Sequence, residues 1–252
     1  METMRKPFQG VLNIVRFNWH FYVFAFALVL GLFFVAQYFA PPLRTVLIGV
    51  GILATASTLI SLLASFYVYD LAGLYNFTWL DQQNATNTVV NINAGFDETS
   101  TLLKAKFKQA ELIVLDFYDP SKHTEISIKR ARKAYPPFPG TQQVETGNLQ
   151  LPDDSVDKIF VILSAHEIRD ESERLTFFKA LKRAIKPAGQ IYIIEHLRDV
   201  PNFLAYNIGF FHFHAKSSWL KTFREAGLNL KQELKHTPFI SNFILDKNGN
   251  TL

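Results

Sequence analysis

Two stretches near the start of the chain, Phe21 to Ala40 and Thr45 to Tyr69, contain no charged side chain at all, and Gln37 is the one strongly polar group in the first. A hydrocarbon layer about 30 Å thick is crossed by roughly 20 apolar residues of helix, a length both stretches reach. Between them lies Pro41-Pro42-Leu43-Arg44, a segment expected to end one helix and permit a tight reversal. Soluble helices keep a polar face, whereas these runs are apolar all round. The pattern therefore predicts a transmembrane hairpin over residues 1–69 rather than a pair of buried core helices. The first run exceeds the apolar stretch of about 7–15 residues in a cleaved signal, and a second run follows at once. Arg5, Lys6 and Arg16 precede the first span and only Arg44 sits in the turn. Positive-inside bias then places the N-terminus, and everything after about Asp70, in the cytoplasm. Trp19, His20, Tyr22, Tyr38, Tyr67 and Tyr69 fall near the ends of the runs, where interfacial aromatics collect.

The composition carries the same signature: 48% hydrophobic residues against 19% charged, where a soluble domain has about 25% charged. An intrinsically disordered chain is excluded. With no cysteine, disulfides, zinc–thiolate sites, iron–sulfur clusters and cysteine nucleophiles are excluded as well. A net charge of +4 and a pI near 9.1 suit anionic lipid as well as nucleic acid and decide nothing alone.

Residues 70–252 alternate short apolar runs with amphipathic ones. Thr88–Ile92, Glu111–Leu115, Lys158–Leu163 and Gln190–Ile194 read as strands buried on both faces. Glu125–Ala134, Ser172–Ile185 and Ser217–Ala226 read as helices. The second of these has Asp170 and Glu173 as a capping box and Lys186-Pro187 as a stop. Leu228–His236 and Phe239–Leu245 read as a terminal strand pair. The expected class is α/β, a doubly wound, mostly parallel sheet preceded by two transmembrane helices.

In such sheets ligands bind beyond the carboxyl ends of the strands. After the first strand comes Asn93-Ala94-Gly95-Phe96-Asp97-Glu98, and after the second comes Asp116. A glycine turn followed about 20 residues later by a carboxylate is a nucleoside-binding spacing, with the acid accepting the ribose hydroxyls. Further on come Gly147-Asn148-Leu149, then Leu151-Pro152-x-x-Ser155-x-Asp157, Ser164-Ala165-His166-Glu167, and Lys186-Pro187-x-Gly189. On these motifs residues 70–228 resemble a class I S-adenosylmethionine-dependent methyltransferase, most closely the quinone and lipid methylase branch. The late helix ending in Ala226-Gly227-Leu228 agrees.

The resemblance implies a seven-stranded Rossmann-like sheet and S-adenosylmethionine as cofactor. It places Asn93, Gly95 and Asp97 in the glycine motif, Asp116 on the ribose, Asn148 and Leu149 beside the adenine, and Ser164 and His166 at the strand end facing donor and acceptor. The first motif departs from the family pattern: Asn91 replaces an aspartate within the strand, one glycine remains of three, and Phe96 and Asp97 are bulky. Asp97 or Glu98 could meet the donor ammonium instead.

Candidate catalytic residues are His166, Glu195 and His196. His166 with Glu167 can equally cap a helix, and Glu195-His196 can relay a proton or form a solvated loop pair. His212-Phe213-His214 would set two histidines on one strand face, yet the sequence shows no third ligand nearby, and no metal is expected. Lys122, Lys129, Arg130, Arg132 and Lys133 form a basic run suited to a solvated helix face or to anionic headgroups. Phe203, Tyr206, Phe210, Phe211, Phe213 and Trp219 lie where this fold commonly covers the acceptor. The expected function is methyl transfer to a lipidic or membrane-associated acceptor by a two-pass, bilayer-anchored enzyme facing the cytoplasm, without a nucleic-acid partner. The rival expectation is a non-catalytic methyltransferase-like scaffold in a membrane complex.

Overall fold

The computed structural model describes residues 5–80, 86–122 and 125–247. An amphipathic helix missed by the sequence reading comes first, α1 (Gln9–Phe17). Two apolar helices follow, α2 (Trp19–Ala36) and α3 (Pro41–Phe66), both long and apolar enough to cross a membrane. Pro41 and Pro42 do not form the reversal, as expected, but open α3. Proline is at home there because the first helical N–H groups have no intrahelical acceptor and φ is already set. A π-helical turn, Tyr67–Leu71, ends α3, and a 3-10 turn, Leu74–Asn76, leads into the sheet.

The sheet has seven strands: β1 (Thr88–Asn93), β2 (Glu111–Asp116), β3 (Gln142–Gln143), β4 (Val156–Ile162), β5 (Ile185–His196), β6 (Asn229–Thr237) and β7 (Ile240–Asp246). Their order is β3-β2-β1-β4-β5-β7-β6. The first five run parallel and β7 is antiparallel to both of its neighbours, so the sheet is mixed. The helices between are α4 (Ser100–Lys106), α5 (Ile126–Ala134), α6 (Glu171–Ala184), α7 (Val200–Tyr206) and α8 (Lys216–Glu225).

Side chains alternate across a strand, and the core divides accordingly. Val90, Ile92, Ile159, Val161, Ile191 and Ile193 pack with Phe177, Phe178 and Leu181 of α6 and with Trp219 and Phe223 of α8. Val89, Phe160 and Tyr192 face the other way, onto Phe77, Leu80 and Leu103. Burial on both faces explains why these strands read as unbroken apolar runs.

The sequence motifs hold the frame in place. Asp170 accepts from Glu173 N and caps α6, while Glu173 turns its own carboxylate to Lys122 and Thr146. Asp157 accepts from Asn87 N and Thr88 N, both at 2.9 Å, and from Lys186 Nζ at 2.7 Å, so it pins the start of β1 to β4. Burial would raise the Asp157 carboxyl, but these donors outweigh it and hold it below the ordinary range. Gly189 has no room for a side chain: a Cβ would stand 2.8 Å from Ile185 Cδ1 and 3.0 Å from the Asp157 carbonyl oxygen.

Candidate active site

At the tip of β1, Asn93 Oδ1 accepts from Gly95 N at 2.9 Å and its Nδ2 donates to the Leu115 carbonyl at 3.2 Å. The turn takes Gly95 to φ +91°, a conformation that favours glycine. Asp97 Oδ1 accepts from Thr99 N and Ser100 N, both at 2.9 Å, and secures the start of α4. Its other oxygen, Oδ2, is buried without a partner among the described residues. Buried Asn91, at the position of the family's aspartate, donates to Thr99 Oγ1 and Ser100 Oγ and ties β1 to the same helix.

Asp116 ends β2, buried. Oδ1 accepts from Tyr118 N at 2.8 Å, and Oδ2 takes Arg132 Nη1 at 2.5 Å. The Arg132 guanidinium stands 4.4 Å over the Tyr118 ring. A small open cleft is lined by Asn93, Gly95, Asp97, Asp116, Arg132 and Tyr135, among others. The outer wall comes from α1. Phe17 meets Phe96 edge to face at 5.5 Å, Tyr135 Oη donates to Asn13 Oδ1 at 2.9 Å, and Asn13 Nδ2 donates to Glu98 Oε1 at 3.1 Å.

Of the expected donor residues, Asn93, Gly95, Asp97 and Asp116 come together in this cleft. Three others do not line it. Asn148 is exposed, Leu149 is wholly buried in the main core, and Ser164 is buried with its hydroxyl donating to the Ile92 carbonyl at 3.0 Å. That last bond joins the donor end to the next group of residues.

Beyond β4 and β5, residues far apart in sequence converge. Glu195 is fully buried. Its Oε1 accepts from Ser164 N and His166 N at 3.1 and 3.2 Å, and its Oε2 accepts from His166 Nδ1 at 2.6 Å. His166 Nε2 stands 3.3 Å from Glu167 Oε1, and His212 Nε2 stands 3.4 Å from the same oxygen. Burial would lower the His166 pKa, but Glu195 and Glu167 outweigh it and raise it to about 10. Burial would raise Glu167, yet its bonds to the two histidines hold it well below the carboxylate range.

His196 belongs elsewhere. Its Nδ1 faces Asn202 Oδ1 at 3.0 Å, its Nε2 faces Tyr69 Oη at 2.8 Å, and its ring stacks on Phe213. Both nitrogens are engaged, fastening the end of α3 to the sheet. Desolvation lowers its pKa to about 4.

The His212–His214 segment is not a strand. His212 ends a 3-10 turn (Asn207–His212), and His214 packs against Trp219. Trp219 is core rather than acceptor cover, whereas Phe203 and Phe211 are exposed. The convergence on Glu167 rests on a turn that no period-2 or period-3.6 pattern marks.

Residues 90–193 match the family model of a methyltransferase domain. A search of curated proteins gave no match. Among solved structures, the chain is similar to one from the complex of the Haloferax volcanii Trm112 methyltransferase activator with its methyltransferase, at 13% identity and a TM-score of 0.52, covering 77% of this chain and 96% of that one. It is also similar to a SAM-dependent methyltransferase from Aquifex aeolicus, at 16% identity and a TM-score of 0.45, covering 63% and 81%. At such identities structural likeness bears on the fold alone.

The cleft suits the donor such a domain uses. Asp116 can accept a diol, and Asp97 Oδ2 is an unpartnered buried acceptor for an ammonium. Arg132 occupies Asp116 Oδ2 and is about one-third exposed. Residues 90–193 thus carry the match to a methyltransferase domain on a Rossmann-like sheet, and S-adenosylmethionine is the cofactor of such a domain.

Proposed function

We propose that the protein is a bilayer-anchored methyltransferase whose acceptor is a lipid or another membrane-dissolved molecule, with the domain facing the cytoplasm. The observation that carries this reading is a set of exposed apolar side chains on two adjoining parts of the molecule. They lie along α2 and α3, at Phe21, Phe24, Phe26, Leu53, Leu59 and Leu63, and on the segment covering the acceptor end, at Val200, Phe203, Leu204, Ile208 and Phe211. Asn207 Nδ2 donates to Ser57 Oγ at 2.6 Å and joins that segment to α3. A soluble monomer rarely exposes an apolar patch beyond a few hundred Å². The positive charges flanking α2 favour the cytoplasmic side.

The cofactor supplies an electrophilic methyl group on a sulfonium. Asp116 and Asp97 would hold its ribose and its ammonium, Gly95 lets the backbone approach, and α1 closes the outer wall against water. The covering segment brings the acceptor from the bilayer to His166, which Glu195 holds in place to orient its polar group. Anchoring raises the effective concentration of a membrane-dissolved acceptor.

Feeding cells a deuterated methyl donor precursor and comparing lipid extracts with and without the protein tests this. The expected result is one lipid species heavier by one labelled methyl group only when the protein is present. Unchanged lipids, with a labelled soluble product instead, would overturn the lipid reading.

The second reading, a non-catalytic scaffold, draws on the Arg132–Asp116 pair, which occupies one donor-binding oxygen. It predicts no donor binding even when Arg132 is removed.

A further inference from the structure

We infer that His166, Glu167 and His212 form a binding site for a first-row divalent metal ion at the acceptor end, a site the sequence did not reveal because its third ligand arrives from the turn after α7. The ligating atoms, His166 Nε2, Glu167 Oε1 and His212 Nε2, all lie within 4.8 Å of one another. The two measured against the glutamate oxygen stand at 3.3 and 3.4 Å. Ligands about 2.0–2.2 Å from a shared zinc-like ion at tetrahedral angles stand about 3.4 Å apart, so these two separations fit as they are, and the two histidine nitrogens draw together when the ion binds.

The surroundings make the stronger case. A metal-bound histidine usually donates its other ring N–H to a carboxylate or carbonyl, which fixes the tautomer and the ring. Both histidines have such a partner: His166 Nδ1 faces Glu195 Oε2 at 2.6 Å, and His212 Nδ1 faces Glu125 Oε1 at 2.8 Å. Each leaves Nε2 turned toward Glu167. A histidine whose task was only to cap a turn would need neither outer carboxylate.

The Arg169 guanidinium lies against His212, donating to its carbonyl, touching Nδ1, standing 3.1 Å from the proposed ligand Nε2 and reaching Glu125 at 3.5 Å. It is the cation a metal would displace, and at 42% exposure it is free to leave. Two imidazoles and one carboxylate suit zinc, cobalt, nickel or iron better than magnesium or calcium. Three protein ligands leave a position for water or for an oxygen of the acceptor, so this site selects an acceptor with an oxygen at or beside the methylated atom. The site deepens the lipid reading but does not require it, because metal binding is read without any methyl transfer.

The test uses full-length, tag-free protein in detergent micelles, stripped by chelator and titrated with Zn²⁺ against a chromophoric competitor, then with Co²⁺ to read its visible bands. One equivalent of zinc is expected, with intense cobalt bands of low coordination number. His212→Gln and Glu167→Gln should weaken zinc binding by at least about 100-fold. Glu195→Gln, one shell out, should weaken it about 10–100-fold. His214→Gln should bind as the wild type does. Circular dichroism identifies any variant that fails to fold, and in that case wild-type stoichiometry and the cobalt spectrum decide alone. Absence of zinc binding by the wild type, or equal affinity in folded His212→Gln and Glu167→Gln, would overturn the assignment. Donor binding on the same sample reports separately on the methyltransferase reading.

Discussion

On the proposed reading, donor binding turns on Asp116. It is buried at a strand end with one oxygen on a backbone N–H and the other on Arg132. Charge-assisted bonds to a carboxylate contribute about 1.5–3 kcal/mol each. Asp116→Asn should therefore weaken S-adenosylmethionine binding by about 10–100-fold in titration calorimetry. Arg132→Ala should act in the opposite direction: a partly exposed ion pair is worth up to about 1 kcal/mol, and releasing Asp116 from it should tighten donor binding roughly fivefold. Spacing from Gly95 was enough to locate this acid in the sequence. Its arginine was not legible, because α5 comes over the cleft only through the tertiary fold, and a basic run by itself reads as a solvated face.

His196 shows the converse, a polar residue at a strand end that chemistry would claim and packing explains. Its folded pKa of about 4 lies below the unfolded 6.5. Between those values the unfolded chain binds the extra proton, so stability is intact above about pH 6.5 and falls as the pH drops toward 4. The shift corresponds to an order of 3 kcal/mol. Thermal unfolding in detergent should show the wild type losing more stability between pH 7 and 5 than His196→Gln does. Equal losses would contradict the assignment.

At the scale of elements, the strands were legible because burial on both faces leaves unbroken β-branched runs, and α6 was legible from its cap and apolar spacing. α1 was not, since it lies next to an apolar span and its few polar residues read as flank. α7 and its 3-10 turn were not, because their outward apolar side chains break the rule that a short helix buries its apolar face. Those side chains give a prediction of their own. Replacing Phe203, Leu204 and Ile208 with serine should raise KM for a membrane-dissolved acceptor several-fold and leave donor affinity unchanged. A matched change in both would show instead that the segment is ordinary packing. Gly189→Ala, where the Asp157 backbone crowds the new methyl group, should destabilise the domain by about 1–3 kcal/mol in thermal unfolding.

At the scale of the molecule, the apolar helices and the seven-stranded sheet are joined by more than a linker. Tyr69 at the end of α3 bonds to His196 of β5, Asp70 accepts from Gly10 N and Val11 N at 2.8 and 2.9 Å, and α1 walls the donor cleft through Asn13 and Phe17. The apolar helices and the cleft form one packed unit, so on the proposed reading detergent or bilayer conditions that disturb the hairpin should also change donor affinity. The decisive test is calorimetric titration of full-length protein, wild type and Arg132→Ala, with S-adenosylmethionine. Saturable one-to-one binding that tightens in Arg132→Ala and is lost in Asp116→Ala is the predicted result; no heat from either wild type or Arg132→Ala at millimolar donor would contradict it.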